Sequence, residues 1–65
     1  MSGIFYDPRS RQLHAISCSP EPGWTLVTHN VDAKPHQCRR IMREWLAQDE
    51  MFRIEWTIHR ERLSA

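Results

Sequence analysis

The residue types that could bind a metal ion are present in this 65-residue chain, but their spacing does not bring them together. Structural zinc sites contain Cys-x2-Cys or His-x3-His pairs, and neither spacing occurs here. His36 and Cys38 are close in sequence, yet on a helix their side chains would point roughly 160° apart. We therefore expect neither a metal ion nor a cofactor. The four ligands considered are His14, Cys18, His36 and Cys38.

Nucleophilic catalysis has equally little support. Cys38 lies on a predicted apolar helix face, and a buried thiol in apolar surroundings is unreactive. Cys18 follows a predicted strand, but no nearby residue supplies it with a base or an oxyanion hole. A glycine-rich phosphate loop is excluded because the chain contains only Gly3 and Gly23. We expect a protein without catalytic residues, which is not an enzyme.

A basic stripe is the clearest candidate for binding an anion. Arginine suits planar, two-pronged contacts with phosphate or carboxylate groups. On one predicted helix the bases lie in the first half, whereas Asp49 and Glu50 lie at the end, which opposes the helix dipole. This arrangement favours a hypothesis that the stripe contacts nucleic acid or another acidic partner, although an ordinary solvated face has the same pattern. The stripe consists of His36, Arg39, Arg40 and Arg43.

The helix that carries the stripe is predicted over residues 33–49. Its apolar residues repeat at the spacing of a helix with one buried face. Asp32 is the expected N-cap, and Pro35 is acceptable only in the first turn, where its missing N–H costs nothing. The apolar residues that define the buried face are Cys38, Ile41, Met42, Trp45 and Leu46.

The segment after the helix changes to a period of two, which predicts a strand over residues 52–60. β-Branched and aromatic side chains in this segment suit a pleated surface. The apolar members of the alternation are Phe52, Ile54, Trp56 and Ile58, and the polar members are Arg53, Glu55, Thr57 and His59.

Three shorter strands are predicted before the helix, over residues 4–7, 12–17 and 24–29. Asp7-Pro8 is a turn-initiating pair that would join the first two strands in a hairpin. Residues 19–23 contain two prolines and a glycine and are predicted to form a loop.

The element order predicts an α+β fold of two layers, β-β-β-α-β, with one helix packed on one face of a small, mostly antiparallel sheet. A crossover through the helix makes the last two strands parallel. The last strand lies beside either the third or the first strand, and the sequence does not decide between them. The remaining predicted core residues are Tyr6, Leu13, Ala15, Trp24 and Leu26.

One helix covers one face of a four-stranded sheet, so the opposite face stays open. An exposed apolar cluster with a polar rim usually marks an interface. The alternatives are scattered surface residues, or a register one residue off, which exchanges the faces. The residues expected on the open face are Phe5, His14, Ile16, Val27, Arg53, Glu55, Thr57 and His59. The candidate interface residues among them are Phe5, His14, Ile16, Val27, Arg53 and Thr57.

Composition sets the broad class. The chain is 40% hydrophobic and 26% charged with a net charge of +1, which is ordinary for a globular protein and implies no general attraction to acidic partners. Length predicts a single domain over residues 1–65. Two cysteines are too few for a disulfide scaffold, and no apolar run is long enough to cross a bilayer, so we expect a cytoplasmic protein. Arginine strongly outnumbers lysine, which favours a bacterial or phage origin.

These observations predict a small non-enzymatic domain that binds another macromolecule. The leading prediction is a protein-interaction module that binds another protein or itself. Self-association through the open sheet face or an edge strand would also stabilise a marginal core. The alternatives are a nucleic-acid-binding module that uses the basic stripe, and a free-standing monomer with no ligand-binding role of its own. We expect no membrane partner and no small-molecule substrate.

Overall fold

The computed structural model describes residues 1–60 and contains four strands and two helices. The elements in chain order are β1 (Gly3–Asp7), β2 (Gln12–Ile16), β3 (Thr25–Thr28), α1 (Pro35–Met42), α2 (Gln48–Arg53) and β4 (Ile58–Arg60). The predicted α+β class, with a helical layer on one face of a small sheet, is confirmed.

The four strands form one mixed sheet in the order β3-β1-β2-β4. β1 pairs antiparallel with both β2 and β3, and β4 pairs parallel with β2, where Leu13 lies opposite Ile58. The last strand is therefore beside the second strand, which neither of the two predicted positions included. It still runs parallel to β3, as a crossover through the helical layer requires.

The helical segment is broken in two, which corrects the prediction of one helix over residues 33–49. α1 ends at Met42 with Arg43 as its C-cap, and the chain turns before α2 begins after Ala47, whose backbone is extended. The break turns α2 so that Met51 reaches the core at 8% exposure. No glycine or proline lies at residues 43–47, so the sequence contains no local signal for this turn.

The start of α1 also differs from the prediction. Lys34, not Asp32, is the N-cap, and its backbone N–H donates to the side-chain Oε1 of Gln37 at 2.7 Å. Asp32 instead donates its backbone N–H to the side chain of Asn30 in the preceding turn. Pro35 is the first residue of α1, where a missing N–H costs no helical hydrogen bond.

The predicted strand over residues 52–60 is corrected to β4 alone. Phe52 lies in α2 and is 75% exposed, because the helical period there directs Met51 and Ile54 inward instead. From Ile54 onward the alternation does describe the packing, since Ile54, Trp56 and Ile58 all contact the core. Only the last part of that segment forms strand hydrogen bonds with β2.

The core lies between the sheet and the helical layer. The sheet contributes fully buried Ile4 and Leu13, and α1 contributes fully buried Cys38 and Met42. Trp45, predicted to be buried, is 43% exposed in the turn after α1, although its ring still lies 6.4 Å from that of Tyr6. Within residues 1–60 no helix has the length and apolar character needed to span a membrane.

Candidate functional site

Side chains of the sheet itself cover its open face, which corrects the prediction of an exposed apolar cluster there. Phe5 is 2% exposed, and the register places it between His14 on β2 and Leu26 on β3. The indole of Trp24 stacks on the imidazole of His14 at 4.5 Å and 10°, across β1. Ile16, at the end of β2, is also buried. This face therefore offers little apolar surface to a partner.

Val27 belongs to the core and not to the open face. The pairing of β1 with β3 shifts register between Ile4 and Phe5, and Leu26 lies opposite Phe5 on the open side. Strand alternation then directs Val27 toward the helical layer, where it is buried in the core. Trp24 and Leu26 were predicted to be in the core and are only half-buried. The physical cause is the irregular pairing, which single-strand periodicity does not reveal.

The polar residues expected on the open face are divided among several elements. Arg53 lies in the last turn of α2, and Thr57 lies in the extended segment before β4, so neither belongs to a strand. His59 does lie on β4 beside His14, with ring centres 5.6 Å apart. Glu55 accepts a hydrogen bond from Gln12 at 3.0 Å, which ties the segment before β4 to β2.

The basic stripe is exposed along its whole length. His36, Arg39, Arg40 and Arg43 are all exposed on or immediately after α1. Among residues 1–60, no carboxylate forms an ion pair with any of them. Arg39 lies over the ring of Trp56 at 5.8 Å, a cation–π contact that holds this guanidinium above the core.

The helix break removes one argument for the stripe. Asp49 and Glu50, which on a single helix would oppose the dipole, lie in the first turn of α2, where negative charge is favourable. Arg39 and Arg40 lie in the last turn of α1, where positive charge is favourable. The charges therefore follow the dipoles of two helices. What favours anion binding is the exposure of the four stripe residues and the groove beside them.

A groove of 460 Å³ lies between α1 and α2 and includes half of the stripe. Its apolar residues are Leu46, Met51 and Phe52, of which Phe52 is 75% exposed. The guanidinium-bearing residues Arg39 and Arg43 contribute the positive charge. The full lining is Arg39, Arg43, Leu46, Gln48, Met51 and Phe52.

Sequence reasoning missed this groove because it assigned Phe52 to a buried strand face. A usable signal was present in the acidic pair at residues 49 and 50. Acidic residues are favourable in a first helical turn, and a second helix starting there places Met51 and Ile54 three positions apart on one face. That assignment leaves Phe52 on a different face of the helix.

The four residues considered for metal binding lie in different surroundings. Cys38 is fully buried in the core, whereas Cys18 and His36 are exposed, and His14 is stacked against Trp24. The part of the chain that the structure describes holds no group of three or more His, Cys, Asp or Glu side chains arranged for a metal ion. Burial raises the pKa of the Cys38 thiol, which keeps it protonated and unreactive at neutral pH.

Comparison with known proteins found no match to a family model, a curated protein or a solved structure.

Proposed function

We propose that the chain is a non-enzymatic protein-interaction module whose binding surface is the groove between α1 and α2. The observation that carries the proposal is the exposure of Phe52, at 75%, directly beside two arginines that have no acidic partner within residues 1–60. Burying a phenylalanine side chain contributes about 1.5–3 kcal/mol, which makes this ring the natural anchor of an interface.

The chemistry of the lining defines the partner. Leu46, Met51 and Phe52 favour an apolar side chain, and methionine adapts readily to different shapes. Arg39 and Arg43 favour carboxylates, which a guanidinium can bind through two parallel hydrogen bonds. The groove therefore suits a protein surface that presents an apolar side chain flanked by acidic residues.

The same lining argues against catalysis. Arginine stays protonated at all physiological pH values, and Gln48, Leu46, Met51 and Phe52 carry no group that titrates. No lining side chain can act as a nucleophile or as a general acid or base near neutral pH. A binding role is what these residue types support.

The experiment is titration of the ¹⁵N-labelled protein with a synthetic acidic amphipathic peptide that carries phenylalanine or leucine anchors. We expect chemical-shift changes at Arg39, Arg43 and Phe52, and loss of binding in Phe52→Asp. The control peptide keeps the apolar residues and replaces the acidic residues by lysine, and it should bind more weakly. Arg43→Glu should weaken peptide binding. The control variant Arg40→Glu changes the charge by the same amount but lies outside the groove, so it should leave peptide binding unchanged. Equal binding of both peptides, or no binding of either, would contradict the proposal.

Nucleic-acid binding is a second candidate function. It is favoured by the exposure of all four stripe residues, His36, Arg39, Arg40 and Arg43, without ion pairs in the described part of the chain. Affinity for single-stranded and duplex oligonucleotides, measured by fluorescence anisotropy, should fall steeply with salt. Arg40→Glu separates the two functions, because it should weaken phosphate binding and leave peptide binding in the groove unchanged.

The location we propose is the cytoplasm. Cys18 and Cys38 are both free thiols, one exposed and one buried, which suits a reducing compartment.

A further inference from the structure

We infer that the occupant of the groove is a second copy of the same chain, so that the protein forms a symmetric dimer through its helical layer. This inference rests on the proposed function, because it names the partner of the same groove.

The chain itself displays the features that its groove should recognise. Phe52 is exposed on α2, and Asp49 lies three residues earlier, on the same side of that helix. Asp49 is exposed and forms no ion pair within residues 1–60. An apolar ring with an adjacent carboxylate is therefore available on the surface of every copy.

Two of the charges of α2 are already paired within the chain. Glu50 binds Arg11 at 3.2 Å and lies 4.0 Å from Arg53. Asp49, on the same side of α2 as Phe52, and the groove residues Arg39 and Arg43 have no ion-pair partner within residues 1–60. Opposite charges that form no ion pair within the chain and lie near the same exposed ring make that surface complementary to itself.

A two-fold axis satisfies this complementarity in both directions at once. In such an interface the same patch faces itself, so each contact occurs twice. An axis near Phe52 brings the two rings together and directs Asp49 of each copy toward Arg39 and Arg43 of the other. A typical interface covers about 800 Å² on each partner. That area is less than a fifth of the 4558 Å² surface of this chain.

The first experiment is sedimentation equilibrium of the full chain from about 10 µM to about 1 mM, a concentration range in which even weak association is detectable. We expect a monomer–dimer equilibrium. Phe52→Asp should raise the dissociation constant by about 100-fold or more, since a symmetric interface loses the ring twice. Phe52 is mostly exposed, so the variant should keep its fold, and circular dichroism checks that it does. Arg40→Glu, outside the groove, should leave the equilibrium unchanged.

The second experiment identifies the contact between the two copies. Arg43→Glu and Asp49→Arg should each weaken the dimer by at least about tenfold, or about 1.4 kcal/mol, because each places like charges opposite one another. An equimolar mixture of the two variants should form a heterodimer in which one of the two contacts has its charges exchanged and restored. Restoration in the mixture distinguishes a contact between copies from a contact within one chain.

Two results would overturn the inference. One is a monomer at every concentration up to about 1 mM. The other is a dimer that persists in Phe52→Asp, which would place the interface elsewhere, for example at the free edge of β3. If the monomer still binds the acidic peptide through Arg43 and Phe52, the proposed function stands and only its partner has been misidentified. If it binds neither the peptide nor itself, both ideas fail.

Discussion

Arg11, in the turn between β1 and β2, binds Glu50 of α2 through two nitrogens, with Nε at 3.2 Å and a terminal nitrogen at 3.4 Å. Thirty-nine residues separate the two in sequence, so this pair ties the hairpin turn to the second helix. The backbone carbonyl of Arg11 also accepts a hydrogen bond from the N–H of Glu55 at 3.1 Å. The turn thereby holds both ends of α2 in place.

The Arg11–Glu50 pair should contribute modestly to stability. Both side chains are partly exposed, so screening by water keeps the interaction weak. A double-mutant cycle with Arg11→Ala and Glu50→Ala, measured by urea unfolding, should give a small favourable coupling free energy that falls with added salt. A coupling free energy of zero at low salt would show that the two side chains lie close together without stabilising the fold.

The backbone at Arg11 makes a separate prediction. Its φ is +57°, a left-handed conformation that costs a non-glycine residue about 1–2 kcal/mol. Arg11→Gly and Arg11→Ala both remove the ion pair, but only glycine relieves the backbone. Arg11→Gly should therefore unfold at a higher urea concentration than Arg11→Ala. The opposite order would mean that the turn relaxes to another conformation when the arginine is absent.

The stacked rings of Trp24 and His14 should shield Phe5, on the open face of the sheet, from water. Trp24→Ala removes the ring that extends across β1 and should expose Phe5, at a cost of about 1–2 kcal/mol in the free energy of unfolding, since stacked pairs add to simple area burial. Trp24→Phe, which keeps an aromatic ring, should recover part of that loss. Binding of a hydrophobic dye such as ANS should increase in Trp24→Ala only. Unchanged dye binding would show that other side chains cover Phe5.

The two glycines should respond differently to alanine. A Cβ at Gly3 would lie 2.7 Å from the backbone oxygen of Thr28, which is too close for any non-bonded contact. At Gly23 the space is open, and only the φ of +93° opposes a side chain. Gly3→Ala should force β1 and β3 apart and lower the melting temperature more than Gly23→Ala, with each 1 kcal/mol corresponding to about 4–8 °C in a domain of this size. Equal shifts would contradict the tight pairing of the two strands.

Tyr6 carries a buried hydroxyl with no hydrogen-bond partner among residues 1–60. Tyr6→Phe removes this unsatisfied group and keeps the ring, so it should leave the free energy of unfolding unchanged or raise it by up to about 1 kcal/mol. A loss of more than that would indicate that the hydroxyl is hydrogen-bonded in solution.

The same residue predicts an alkaline pH dependence. Burial, and then the charge of Glu50, raise the pKa of Tyr6 above its ordinary value of 10.0. The neutral form is thus favoured in the folded state, so the contribution to stability is complete below pH 10 and is lost as the pH rises through the raised value. Unfolding free energies measured between neutral pH and about pH 11 should fall more steeply for the wild type than for Tyr6→Phe. Parallel curves would exclude Tyr6 as the cause.

Sequence periodicity predicted the two layers of this fold and its first three strands well, because the side on which a residue lies along a helix or strand depends on local backbone geometry. Alternation assigned Tyr6, Leu13 and Ala15 to the buried side of the sheet, where they lie. The helical spacing of Cys38 and Met42 likewise placed both in the core. Such patterns reflect the directions in which side chains leave a helix or a strand, and those directions follow from backbone geometry alone.

Tertiary structure decided the rest, and the candidate site with it. The turn at residues 43–47 contains no breaking residue and forms because it brings Met51 and Ile54 back onto the sheet. The side that Val27 faces depends on a register shift against β1, and the burial of Phe5 depends on a ring from another strand. Each outcome depends on a contact between distant segments, so the sequence of one segment alone does not determine it. The groove beside Phe52 exists only because the helix is broken there.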